Sequence, residues 1–102
     1  MAKVIWTNFA ILELKNIYLY YKLSVSIEIA NKIKKSILAS TKNMYKKPFS
    51  GAIELNLTEL GLEHRYLVIG NYKIIYRLIK NDVYITDVFD CRQNPQKMKS
   101  VK

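Results

Sequence analysis

One cysteine, one histidine, two prolines and three glycines in 102 residues leave little room for several kinds of chemistry. Cys91 on its own excludes an internal disulfide framework and any cysteine-based zinc finger, and a lone thiol suits a reducing compartment. A single histidine, His64, rules against a histidine-based metal site and against a Ser-His-Asp triad. Neither G-x-G-x-x-G nor G-x-x-x-x-G-K occurs, so a nucleotide cofactor has no phosphate cradle to sit in. Apolar runs fall far short of the roughly 20 residues that a membrane span needs. Residues 1–22 mix charge with polarity and carry no continuous apolar stretch, so no signal peptide is expected. These absences predict a soluble, cytoplasmic domain without cofactor or metal.

Acids are also scarce: 8 against 17 lysines and arginines, a formal net charge of +9. Such an excess in a short chain points first to a polyanionic partner. Only three of the cations are arginines, however, and lysine, isoleucine, asparagine and tyrosine are all plentiful. An AT-rich coding sequence gives that bias without any selection for binding. What the chain does have is apolar content, half of all residues, enough for one modest core in one domain spanning 1–102.

Periodicity divides that content into elements. Lys3 to Thr7, β-branched and aromatic, reads as a short strand. Thr7 or Asn8 then caps a helix with Ile11, Leu14, Ile17, Tyr18 and Tyr21 on its apolar face. Ser24 opens a second helix, with Ala30, Ile33, Ile37 and Leu38 inward and Asn31, Lys32, Lys34 and Lys35 outward, running until Pro48 stops it. The short link between them predicts an antiparallel hairpin. Residues 48–63 read as an ordered loop with a short strand at Ala52 to Leu57. From His64 the period becomes two, giving strands Arg65–Ile69, Tyr72–Ile79 and Val83–Phe89, with turns at Gly70-Asn71 and Asn81-Asp82. Residues 93–102 form a basic tail around Pro95 with one turn of helix. The expectation is an α+β domain: a strand, a helical hairpin and a three-stranded antiparallel meander, β-α-α-β-β-β.

Two-residue turns fix the register, and with it the faces of the meander. One face collects Leu67, Ile69, Tyr72, Ile74, Leu78, Ile85 and Phe89 and is the one the helices cover. Across it runs a row of Arg65, Tyr76 and Asp87, a cross-strand structural network at the core edge. The opposite face carries His64, Tyr66, Val68, Lys73, Ile75, Arg77, Ile79, Tyr84, Thr86, Val88, Asp90 and Arg92. His64 falls beside Arg77, and Lys73 across from Asp90. Cations interleaved with Tyr66 and Tyr84 suit a nucleic-acid platform. The valines and isoleucines among them suit a protein partner equally well.

Several stretches then carry a resemblance: V-I-W-T-N-F-A-x-x-E-L at the start, A-N-K-I-K-K-S-I in the second helix, R-Y-L-V-I-G-N-Y-K-I-I-Y-R-L and V-Y-I-T-D-V-F-D-C-R-Q-N-P in the meander. Over nearly its whole length the chain resembles the RelE/ParE superfamily of type II toxin–antitoxin toxins. The resemblance implies a growth-inhibiting toxin held inactive by an antitoxin, usually encoded next to it and wrapping an acidic or amphipathic segment around it. RelE-like members of that superfamily cut mRNA on the ribosome, whereas ParE-like members poison DNA gyrase. Where the nuclease branch carries paired lysines, this chain has His64 and Tyr66. Lys73 matches an arginine, Arg92 matches the arginine closing the last strand, and Met98 falls near a tyrosine. A nuclease would therefore work through His64, Lys73 and Arg92. Partner binding falls to Tyr66, Lys73, Arg77, Tyr84 and Arg92. The R-Q-N-P ending is closer to the ParE-like branch, which is favoured; a degenerate, non-toxic binding module is a further alternative.

Overall fold

A computed structural model describes residues 2–100; Met1 and the end of the expected basic tail, Val101 and Lys102, lie outside the described residues. Strand β1 (Val4–Trp6) leads into α1 (Asn8–Ser24) and α2 (Ile27–Thr41), followed by β2 (Ala52–Ile53), β3 (Arg65–Ile69), β4 (Tyr72–Ile79) and β5 (Asp82–Asp90). Short 3-10 helices occupy Met44–Lys46, Leu55–Leu60 and Pro95–Ser100. The strands form one mixed sheet in the order β1-β5-β4-β3-β2, with β1 parallel to β5 and the other pairs antiparallel. This is the α+β hairpin-and-meander architecture expected, widened by β2 to five strands.

The helices start where side-chain oxygens meet the free amides of a first turn. Thr7 Oγ1 accepts from the Ala10 amide at 3.2 Å and donates to the Ile85 carbonyl at 2.9 Å, so one hydroxyl caps α1 and ties it to the sheet. Ser26 Oγ caps α2 by accepting from Ile29. Ser24 closes α1 rather than opening α2. Along α1 Leu14, Ile17 and Tyr21 face inward as expected, while Ala10 takes the place expected for Ile11, which is 51% exposed. Leu38 of α2 likewise faces out. Helix α2 ends at Thr41, well before Pro48, with the Ser40 and Thr41 hydroxyls bonding back to the Ile37 and Leu38 carbonyls of its last turn. The strand expected at Ala52 to Leu57 stops at Ile53 because the Glu54 carboxylate accepts the Asn56 amide and starts a 3-10 helix.

Two features of the last hairpin reset its register. The first turn lies at Gly70-Asn71 as expected, with Gly70 at φ 58°. The second lies at Lys80-Asn81, Lys80 taking φ 59°, so Ile79 pairs with Asp82. A β-bulge then follows: Tyr76 pairs with Ile85 but Ile75 with Asp87, leaving Thr86 as the extra residue. Past the bulge the alternation inverts. Val88 turns toward the helices and packs with Ala10, Leu14, Ile37, Ile74 and Ile85, while Phe89 turns away from them. Lys73 therefore lies across from Phe89, not Asp90, and Asp87 leaves the expected row with Tyr76.

The second face is partly covered too. Leu57 and Met98, from the 3-10 helices at Leu55–Leu60 and Pro95–Ser100, pack with Ile75 and Phe89 into a second buried cluster flanked by Leu60 and Tyr66. A sheet that sequence patterning left half open is thus covered on both faces over part of β3, β4 and β5.

Arg65 and Tyr76 do pair across the sheet, and what they hold is the loop before β2. The Tyr76 hydroxyl donates to the Pro48 carbonyl at 2.8 Å and accepts from the Gly51 amide at 3.0 Å. Arg65 donates to the Gly51 carbonyl at 2.8 Å and stacks its guanidinium over Phe49. A Cβ on Gly51 would sit 2.5 Å from Tyr76 Oη and 2.7 Å from the Tyr66 carbonyl oxygen, so the site requires glycine on contact grounds. Tyr76→Phe strips both loop bonds in a buried setting and should cost about 2 kcal/mol in urea unfolding, with Gly51→Ala costing at least as much.

Candidate functional site

The sequence-predicted residues fall into two groups separated by the sheet. Tyr72, Ile74 and Tyr76 of β4 face the helices, so Lys73, Ile75 and Arg77 face away from them. On that far side, Lys73 Nζ lies 2.8 Å from Glu54 Oε1 and 4.3 Å from the centroid of the Tyr66 ring. Glu54 is only 2% exposed, and its other oxygen accepts from both the backbone and side-chain amides of Asn56. Burial pushes the Glu54 carboxyl up, but Lys73 and Asn56 outweigh it and hold the group below the usual carboxylate range. The lysine's charge is therefore matched inside the fold.

His64 precedes β3, and its carbonyl accepts from the Glu54 amide at 2.8 Å. Its ring is 1% exposed and neither nitrogen completes a hydrogen bond. Burial lowers its pKa, the nearby Leu62 carbonyl raises it without completing a bond of good geometry, Arg77 pushes it down and Glu54 up. The expected His64–Arg77 neighbourhood is present, and Arg77 lies opposite Tyr84 in the ladder, both half-buried.

Arg92 belongs to the other group. It is exposed and forms a fork with Asp90, Nε to Oδ1 at 2.9 Å and Nη2 to Oδ2 at 2.8 Å, which holds the Asp90 carboxyl below its ordinary range. It also meets the Tyr21 hydroxyl on α1, which in turn lies 3.2 Å from that of Tyr72. Beside these, an open groove of about 490 Å³ runs between Glu13, Asn16 and Tyr20 of α1 and Tyr72, Asp90 and Arg92. His64 and Lys73 share the Glu54 neighbourhood, whereas Arg92 stands on the α1 side. The trio is not brought together.

Asp87, expected in a network with Arg65 and Tyr76, is instead 4% exposed with Oδ1 unpartnered. Burial and repulsion from Glu13 of α1 push its pKa up to about 7, against a hydrogen bond from the Val88 amide. The structural key that pattern reading missed is Glu54. A single acid between Ile53 and Leu55, beside a meander that carries Lys73, was the available signal. Among the described residues no group of three His, Cys, Asp or Glu side chains is placed to hold a metal ion, and no helix is long and apolar enough to cross a membrane.

The structure is a helical hairpin laid on a five-stranded mixed sheet. The fold aligns with a solved structure titled "Chromosomal ParDE TA system from P. aeruginosa" at a TM-score of 0.72, with 20% identity, over 88% of this chain and 96% of that one. The family model for the ParE toxin of the type II toxin–antitoxin system parDE matches residues 4–95, and the chain belongs to that family. No curated protein matches the sequence significantly. The chain is thus a type II toxin of the ParE-like kind, and its system supplies an antitoxin as partner.

Two measurements test the electrostatics. Lys73→Met leaves the buried Glu54 carboxylate without its cation and should cost about 3 kcal/mol in denaturant unfolding, most of it recovered in the Glu54→Gln/Lys73→Met double variant. Asp87 works in the opposite sense to ordinary surface acids. Between pH 3.8 and about 7 the folded chain keeps a proton that the unfolded chain has released. Its contribution is full below 3.8, declines as pH rises, and is gone above about 7. His64 runs the other way: its depressed folded pKa removes stability as pH falls below 6.5. Asp87→Asn should therefore stabilise the fold by on the order of 3 kcal/mol at pH 8 and leave it unchanged at pH 3.5, read as the difference between paired melting curves.

Proposed function

We propose that this toxin acts in the cytoplasm as a DNA gyrase poison, in the manner of the ParE-like branch it resembles, and not as a ribosome-dependent mRNA endoribonuclease. The observation that carries the reading is the commitment of the cations a nuclease would need. Cleaving RNA through its own 2′-OH takes a base for that hydroxyl and free cations for the phosphorane, each worth about 10²–10³ in rate. Lys73 is paired to a buried glutamate at 2.8 Å, His64 is 1% exposed, and Arg92 is forked to Asp90 on the side of α1. A phosphate would have to displace Glu54 and Asp90 and gather groups from two sides of a sheet. A protein target needs none of this.

Arg92 with the Tyr20–Tyr72 groove on one side, and Tyr66, Arg77 and Tyr84 on the other, then serve as partner-binding surface. The antitoxin bound there, or close by, keeps the toxin silent until it is removed.

Inducing the chain alone in a bacterial host should arrest growth with gyrase-dependent DNA breaks and leave ribosome-bound mRNA intact. The Lys73→Ala/Arg92→Ala variant separates the branches further: a nuclease loses codon-linked cleavage and toxicity together. Cleaved mRNA ends that vanish in that variant would overturn the gyrase reading. Normal growth with folded wild-type protein would instead mark a degenerate binding module.

A further inference from the structure

The lysines of α2 stand apart from the acids of the chain. From Ile29 to Ile53 the sequence holds six lysines and no acid. All six are exposed, and among the described residues none of them forms an ion pair. Ala30, Ile33, Ile37 and Thr41 turn toward the core, so Lys32, Lys35 and Lys42 lie together on the outer side of the helix. Lys34 leaves that side and sits over the Tyr18 ring of α1, 5.3 Å from its centroid. Glu28, the acid of α2, precedes Lys32 by one turn and bounds the strip. Lys32 to Lys42 covers about 15 Å of helix, the axial rise of about four phosphates on one strand of a duplex. At its far end the strip gains cations from distant parts of the chain. Lys3 and Lys42 line one open groove of about 580 Å³, and Lys80 lines a second that shares Ala2 and Tyr45 with it. The acid on that stretch, Asp82, accepts the Lys3 amide at 3.1 Å. A biased coding sequence sets how many lysines a chain has; it does not bring those of three separate segments together.

We propose that the outer side of α2 is a binding surface for the backbone of duplex DNA, holding the toxin on the DNA that its gyrase target also grips. In that second role the surface rests on the gyrase reading; duplex binding itself is measured without gyrase. The strip's cations are all lysines, point charges that meet phosphate oxygens without the fixed fork with which arginine reads carboxylates or base edges. Between them on the outer side stand Ser36 and Ala39, both exposed. Neither is the aromatic or arginine anchor on which the core of a protein interface is built, and such cores are poor in lysine. A single-stranded partner needs rings to stack on, and no aromatic residue lies between Lys32 and Lys42. A straight ridge of unpaired lysines suits a straight row of phosphates.

The test titrates the full chain into a short labelled DNA duplex of arbitrary sequence, read by fluorescence anisotropy across a salt series. Binding should be micromolar at low salt, with log affinity falling against log salt at a slope of about −3 or steeper. The Lys35→Gln/Lys42→Gln variant should bind at least about tenfold more weakly, with a slope shallower by about 2. It should melt as the wild type does, since glutamine matches lysine in helix propensity. Lys15→Gln/Lys22→Gln removes the same charge from exposed positions of α1 and should bind the duplex as the wild type does. Equal losses in the two variants make the binding a matter of net charge and overturn the proposal. Tighter binding to a single-stranded or an RNA probe of the same length overturns it too. So does an α2 variant that keeps its hold on the duplex but loses gyrase or the antitoxin, which assigns the strip to a protein partner. A toxin that binds the duplex as expected yet produces no gyrase-dependent breaks overturns the gyrase reading and leaves the DNA surface standing.

Discussion

The single extra residue at Thr86 governs the arrangement of the C-terminal half of the sheet. Up to Ile85 the last strand follows the alternation started at the Lys80-Asn81 turn; beyond Thr86 every side chain is on the other side. That inversion puts Val88 into the core beneath the helices and Phe89 into the cluster with Leu57 and Met98. It also brings Asp90 opposite Tyr72, and so delivers Arg92 to Tyr21 on α1. Without the bulge the same turn would set Lys73 opposite Val88 and Tyr72 opposite Phe89. One inserted residue thereby decides which side chains of β4 and β5 face each other.

This is also where reading the sequence reached its boundary. Elements with a strong period were visible: the two helices, the three strands of the meander and the Gly70-Asn71 turn all lie at or near the expected positions. The β1 strand was visible in K-V-I-W-T, since β-branched and aromatic residues crowd there. The second turn was not, because Asn81-Asp82 has better turn chemistry than Lys80-Asn81; the lysine accepts a left-handed conformation that tertiary pairing imposes. The bulge leaves no mark, since threonine suits a regular strand equally well. Everything that depended on register past that point, Asp87 above all, was assigned to the wrong neighbours.

The candidate site was legible as a list of residues and illegible as an arrangement. Lys73, Tyr66, His64 and Arg77 do share one side of the sheet, as alternation required. Their electrostatic state depends on Glu54, which sits outside the meander in a segment whose short 3-10 turn has no hydrophobic period to betray it. The net charge of +9 likewise misleads if read as freely available cations. Arg65, Lys73 and Arg92 each hold an acid within 2.9 Å, so much of the sheet's positive charge is internal wiring. Open charge lies instead on helix lysines and around the β1 edge.

The parallel pairing of β1 with β5 joins Val4 to Val83, residues 79 positions apart. Loop closure across that distance comes late on any folding route, after the local hairpins have formed. During synthesis the N-terminal strand leaves the ribosome first and has nothing to dock on until nearly the whole chain has followed. Thr7, which both caps α1 and bonds Ile85, waits with it. A protein built this way does not complete its sheet one segment at a time on the ribosome. The five-stranded sheet is complete only once β5 has been made and β1 has docked against it.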